Sequence, residues 1–198
     1  MQRLGVGTFI KRQIIMNISE FTTRVLNKLF ITEQDSKQFG YDSKIIPTLN
    51  ECLTFIANDV LANRVTIPFA VAYDTNGYLP ECSLPSDVLS VLFVDTDVAG
   101  ATYYQPTRRT IRFNSPGKYL VICDTLYPKI ETGDTEHNCE TIPESVMTCA
   151  VLYVAAQLMR DIDLTTAITI QNEYETAIAR LDNGISDLQE SFRFVPKW

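Results

Sequence analysis

The chain has 198 residues, 45% of them hydrophobic and 21% charged, and its 17 Lys and Arg against 24 Asp and Glu give a net charge of −7. That composition excludes a disordered or collagen-like chain, and the length is enough to bury about 70% of the unfolded surface without a metal or disulfide staple. The longest apolar stretches, Val88–Val94 and Val146–Met159, are too short or too interrupted for the ~20 residues of a membrane-spanning helix, so a soluble protein is expected.

The N-terminus places Arg3, Lys11 and Arg12 around a broken apolar segment with no small-residue cleavage site, which argues against a secretory signal. Five widely spaced cysteines (Cys52, Cys82, Cys123, Cys139, Cys149) without a CxxC pair predict reduced thiols in a cytoplasmic setting, acting as small core hydrophobes. Charge is uneven. Residues 1–16 carry three bases and no acid, whereas 17–198 carry 14 bases against 24 acids; the last eight residues add Arg193 and Lys197 beside Phe192, Phe194 and Trp198. Basic ends on an acidic body favour ordered contacts between chains, the alternative being two frayed termini.

In chain order, Ser19 is a candidate N-cap for a first helix over 19–30, with Phe21, Val25, Leu26 and Leu29 on one face. Polar residues from Thr32 to Tyr41 form a connector to a second periodic run: Ile45, Leu49, Cys52, Leu53, Ile56 and Val60, with Pro47 in its first turn. From Arg64 to Ile130 short β-branched and aromatic runs (65–72, 89–95, 101–104, 110–113, 119–124) alternate with turn signals such as Asn76-Gly77 and Pro116-Gly117. Within them Thr110-Ile111-Arg112-Phe113 predicts a half-buried strand with Ile111 and Phe113 inward. An acidic connector over 131–140, holding His137, leads to Thr141-Ile142-Pro143-Glu144, which has capping-box spacing. The helix after it carries Val146, Ala150, Val154 and Leu158 on one face and apolar residues on most others, so it is expected to be buried nearly all round. A turn at 161–165 precedes a last helix over 166–188 with Ile170, Tyr174, Ile178, Leu181, Ile185 and Leu188 in period. Leu152 and Leu181 are expected in the core.

The predicted fold class is α+β: a helical bundle built from the two ends of the chain (17–61 and 141–190) with a small antiparallel β-domain (62–140) inserted, a basic arm over 1–16 and a tail over 191–198.

Chemistry-bearing patterns are sparse. A Ser or Cys nucleophile needs a base, and the single His137 sits in the acidic connector. His137 and Cys139 would need Cys149 and Cys123 to converge for zinc, and Glu131, Asp134, Glu136 and Glu140 lack the order of a calcium loop, so a solvated acidic loop is the better reading. GxGxxG, GxxxxGK[ST] and HExxH do not occur. No catalytic group, cofactor or metal site is expected. Arg108, Arg109 and Arg112 near Tyr103 and Tyr104 form the one internal cluster suited to phosphates and bases, but the acidic body repels DNA, and a surface hairpin meeting a protein partner is favoured.

The order of elements, the phrase Leu49-Asn50-Glu51-Cys52-Leu53, the strand leader Leu84-Pro85-Ser86-Asp87-Val88-Leu89, and Ile142-Pro143-Glu144-Ser145-Val146 followed by the apolar stretch 150–156 together resemble the head-to-tail connector family of tailed bacteriophages. These are the portal adaptor, or tail tubular A, ring proteins. The resemblance covers about 17–190 and lies in the joint order of motifs that are individually common; the basic arm and the long β-domain depart from it. It implies a non-enzymatic virion protein assembled in the host cytoplasm as a homo-oligomeric ring, commonly of twelve subunits. Such a ring joins the portal protein to a tail-side ring or nozzle and passes double-stranded DNA without binding it specifically. Portal contact would fall on Phe192, Arg193, Phe194, Lys197 and Trp198; subunit or tail-side contact on Tyr103, Tyr104, Arg108, Arg109 and Arg112; and an arm contact on Arg3, Lys11 and Arg12. The alternative is a small soluble module recognising another virion or host protein.

Overall fold

A computed structural model of the chain describes residues 16–131, 139 and 141–191. The basic-arm residues Arg3, Lys11 and Arg12, the connector residues His137, Asp134, Glu136 and Glu140, and the tail residues Phe192, Arg193, Phe194, Lys197 and Trp198 lie outside the described residues.

Helix α1 spans Ile18–Leu29. Its N-cap is Asn17 rather than Ser19: the Asn17 side chain accepts a hydrogen bond from the Glu20 N–H at 2.8 Å, as N-cap geometry requires. Phe21, Val25, Leu26 and Leu29 are buried as their spacing predicts. At the other end Phe30 adopts a left-handed φ of 56°, and the Phe30 and Ile31 N–H groups donate back to the Asn27 and Leu26 carbonyls to close a Schellman turn.

The polar stretch after it is not a plain connector but a short helix, α2 (Glu33–Phe39). A reciprocal capping box holds it, with Thr32 and Asp35 each bonding the other's backbone N–H, and Gly40 at φ 68° terminates it. Helix α3 (Asp42–Asp59) starts one turn earlier than the apolar period suggests, which moves Pro47 from the first turn into the second. There the proline withholds the N–H that the Ser43 carbonyl would otherwise receive.

Helix α4 (Glu144–Met159) begins with Pro143 itself at the N-cap position and no side-chain cap hydrogen bond. The expected capping box is therefore not made, because Glu144 is the first helical residue and not the third that the box needs. Helix α5 (Leu164–Ser191) begins two residues before the expected start. Asp163 caps it, its Oδ1 accepting from the Thr165 and Thr166 N–H groups at 3.0 and 3.2 Å and its Oδ2 from the Thr166 hydroxyl at 2.6 Å.

Those hydrogen bonds, the Thr166 side chain foremost, hold the Asp163 carboxyl below its ordinary value. A carboxylate whose pKa is depressed by folding stabilises above its unfolded pKa of about 4, and the stabilisation disappears as pH falls through the folded value. Asp163→Ala is thus expected to lower Tm at neutral pH, with the difference from wild type narrowing in acid as the folded-state carboxyl is protonated. Circular-dichroism melting at neutral and acid pH checks it; a gap that persists in acid would show that the charge is irrelevant.

Helices from the two ends of the chain share one core, in which α4 packs against α1, α3 and α5. This explains the burial of α4 on most faces: Val146, Met147, Ala150, Val154 and Ala155 are all sealed. Leu152 and Leu181, by contrast, are only partly buried at the rim of that core. Tyr127, Ile130 and Cys139, which follow the last strand in sequence, are also buried with the helices.

The β-rich part holds six strands among the described residues: β1 (Asn63–Val71), β2 (Cys82–Ser83), β3 (Val88–Thr96), β4 (Tyr103–Thr107), β5 (Thr110–Phe113) and β6 (Gly117–Thr125). They form two antiparallel three-stranded sheets, ordered β1-β6-β3 and β2-β5-β4. Between them lies a second core of Val71, Leu84, Ile111, Phe113, Tyr119, Val121 and Cys123. Ile111 and Phe113 point inward as the alternation predicts, and the Phe113 ring stacks on Tyr119 with centroids 3.9 Å apart. The fold is α+β.

Candidate functional site

The predicted basic cluster lies on the β4–β5 hairpin. Every residue of β4 is exposed, as befits an edge strand, and Pro106 within it is tolerated because it has no N–H to offer a further strand. The backbone of the hairpin tip is pinned. The Leu84 N–H donates to the Arg109 carbonyl at 2.8 Å, the Arg109 N–H donates to the Thr107 hydroxyl at 3.2 Å, and the Thr107 and Thr110 hydroxyls meet at 2.7 Å.

The three arginines do not act alike. Arg112 is engaged within the chain: its Nε and Nη2 donate to Glu81 Oε2 at 2.9 and 2.6 Å, and its Nη1 donates to the Tyr104 hydroxyl at 3.2 Å. These bonds raise the Arg112 pKa further, while hydrogen bonds with Thr110 and Arg112 hold the Glu81 carboxyl below its ordinary value. Arg112 therefore braces Tyr104 and the β2 side of the hairpin. Arg108 and Arg109, both exposed at the tip, make no ion pair among the described residues. A guanidinium pair with a fixed backbone and free forks is suited to carboxylates, phosphates or aromatic faces.

A second surface was not foreseen. The outer face of the β1-β6-β3 sheet is uncovered, leaving Phe93 55% and Leu120 44% exposed beside Leu92, Ile122 and Pro68. Cross-strand register places Thr66, Ile122 and Phe93 in one row and Pro68, Leu120 and Asp95 in the next. The register of β3 shifts at Leu92, so Leu92 and Phe93 are both exposed where one residue would normally face inward. The run Tyr119–Cys123 carried the only signal: a continuous apolar strand reads as buried on both faces, and here one face is left open.

Three buried thiols, Cys52, Cys123 and Cys149, are unsuited to nucleophilic chemistry. Burial pushes the Cys52 thiol up to about 12 and also raises Cys149 and Cys123, so their nucleophilic thiolate forms are not populated near neutral pH. Among the described residues no three His, Cys, Asp or Glu side chains converge as metal ligands, and no helix is long and apolar enough to cross a membrane. No family model and no curated protein matches the chain.

Proposed function

We propose that the chain is a structural subunit of a phage head-to-tail connector ring, joining the portal protein to the tail and passing double-stranded DNA. The observation that carries this reading is the braced hairpin whose two tip arginines form no ion pair among the described residues, set on the same β-sandwich as an uncovered apolar sheet face. Both are protein-contact surfaces in their chemistry: one is preorganised and charged, the other flat and apolar. In this reading Tyr103, Tyr104, Arg108 and Arg109 meet a neighbouring subunit or the tail-side ring, with Arg112 bracing them. The aromatic and basic residues Phe192, Arg193, Phe194, Lys197 and Trp198 meet the portal, and Arg3, Lys11 and Arg12 supply an arm contact. The acidic balance suits a DNA conduit, since like charge lets phosphates slide where bound cations would hold them.

Removing residues 191–198 tests the reading. Native mass spectrometry of the intact chain with purified portal is expected to give a ring, commonly of twelve copies, alone or on the portal. The truncated chain is expected to melt within about a degree of wild type and to lose co-purification with portal. A monomer indifferent to portal would instead favour the small recognition module, and a truncated chain that unfolds would place the tail in the subunit's own core.

A further inference from the structure

Where α3 passes the segment that leaves β6, a groove of about 660 Å³ opens on the surface. Its walls are Glu51, Phe55 and Asp59 on α3 and Lys129 on the exit segment, with Tyr127 and Tyr153 beneath. Phe55 is 47% exposed and stacks on no other ring among the described residues. Glu51 lies against the Tyr153 hydroxyl, and neither Glu51 nor Asp59 forms an ion pair among the described residues. Among the lining side chains two carboxylates stand against the one ammonium of Lys129, which leaves the lining acidic and aromatic-walled, with the Arg160 guanidinium acting on Tyr153 from outside it.

We propose that this groove receives the Arg108–Arg109 hairpin tip of a second copy of the chain. The inference rests on the ring reading and names the contact that would build the ring. A guanidinium is the cation that fits such a groove, because its plane can lie on Phe55 or Tyr153 while its N–H fork meets a carboxylate edge. The tip supplies two guanidinium groups at consecutive positions, without an ion pair among the described residues, on a backbone already held by Leu84, Thr107 and Thr110. Docking therefore orders only side chains, and that lowers its entropic cost. Within one chain, no ion pair or hydrogen bond joins tip to groove among the described residues. Because the two surfaces differ, the contact is head-to-tail, the kind that generates rings when its rotation closes.

The test is a charge swap on the full-length chain, with assembly followed by mass photometry over a concentration series and folding by thermal melting. Arg108→Glu with Arg109→Glu, and separately Glu51→Arg with Asp59→Arg, are each expected to raise the concentration for half-assembly by at least about tenfold. Combining all four substitutions is expected to bring it back to within about threefold of wild type. Raised salt is expected to weaken wild-type assembly. The milder pair Glu51→Gln and Asp59→Asn, which conserves volume, should weaken assembly in the same direction if the charge-reversed groove fails to fold. Phe93→Glu on the open sheet face is the rival arm. Assembly that ignores both charge variants, that the four-fold swap fails to restore in a folded protein, or that is lost with Phe93→Glu alone overturns the groove contact and leaves the ring reading standing. A wild-type chain that stays monomeric at every concentration, with or without portal, overturns the ring reading itself and the contact with it.

Discussion

Phe21→Ala is expected to destabilise the protein by about 3–5 kcal/mol, the cost of emptying an aromatic site in a packed core. Phe21 is 0% exposed and lies in the first turn of α1, one turn before Val25, on a helix that packs against α4. The buried cluster it belongs to is built largely on packed helices, α4 among them, which resist collapse into the void. For a chain of this length such a loss lowers Tm by roughly 10 °C, and it should appear in the transition followed by the helical circular-dichroism signal. Phe93→Ala, which removes a ring of similar size from the open sheet face, is the control: an effect within about 0.5 kcal/mol is expected there. Equal losses at the two sites would contradict the division between a sealed helical core and an uncovered sheet.

Asn50→Leu is expected to cost comparably although it adds apolar surface. The Asn50 side chain clamps a backbone eighty residues away: its Nδ2 donates to the Ile130 carbonyl at 2.8 Å, and its Oδ1 accepts from the Ile130 N–H at 2.9 Å. The amide orientation is forced, because only one way round matches a donor and an acceptor on the same residue. Ile130 is 1% exposed, so loss of the clamp strands both of its backbone groups away from water, at about 1–3 kcal/mol each. Asn50→Asp is expected to be similarly damaging, since it sets an anion against the Ile130 carbonyl. Urea unfolding of both variants provides the measurement; a leucine variant as stable as wild type would show that water reaches Ile130 and that the clamp contributes nothing. The clamp fixes the exit of β6 against α3, and with it one wall of the acidic groove.

Much of the architecture was legible from residue spacing alone. The stripes Phe21–Val25–Leu29, Ile45–Leu49–Leu53–Ile56 and Val146–Ala150–Val154 are core faces in the structure, and Ile111 and Phe113 are the inward residues of β5. These succeed because periodicity is a local property: burial on one side of a helix or strand imposes a 3.6- or 2-residue repeat on the sequence itself. Even α2 had a readable signature in Thr32, Asp35 and Gly40; it is easily taken for a loop because a seven-residue polar helix rests on its caps and not on an apolar stripe. The displaced starts of α1 and α5 show the same limit, since several cap-forming residues stand near each and backbone geometry selects one, while α4 starts without a side-chain cap hydrogen bond.

The candidate site divides in the same way. Sequence by itself determined the α+β class, the helical faces, and the gathering of arginines and tyrosines on one hairpin, because each depends on residues close together in the chain. Tertiary structure alone decided that Arg112 is spent on Glu81 thirty-one residues away, that Arg108 and Arg109 form no ion pair among the described residues, and that Asn50 holds Ile130. It alone decided that one face of the β1-β6-β3 sheet stays open and that Glu51, Phe55 and Asp59 wall a groove. The physical reason is that a side chain's partner across the fold, and the coverage of a sheet's second face, depend on how whole elements pack, and a local repeat carries no record of what lies opposite it.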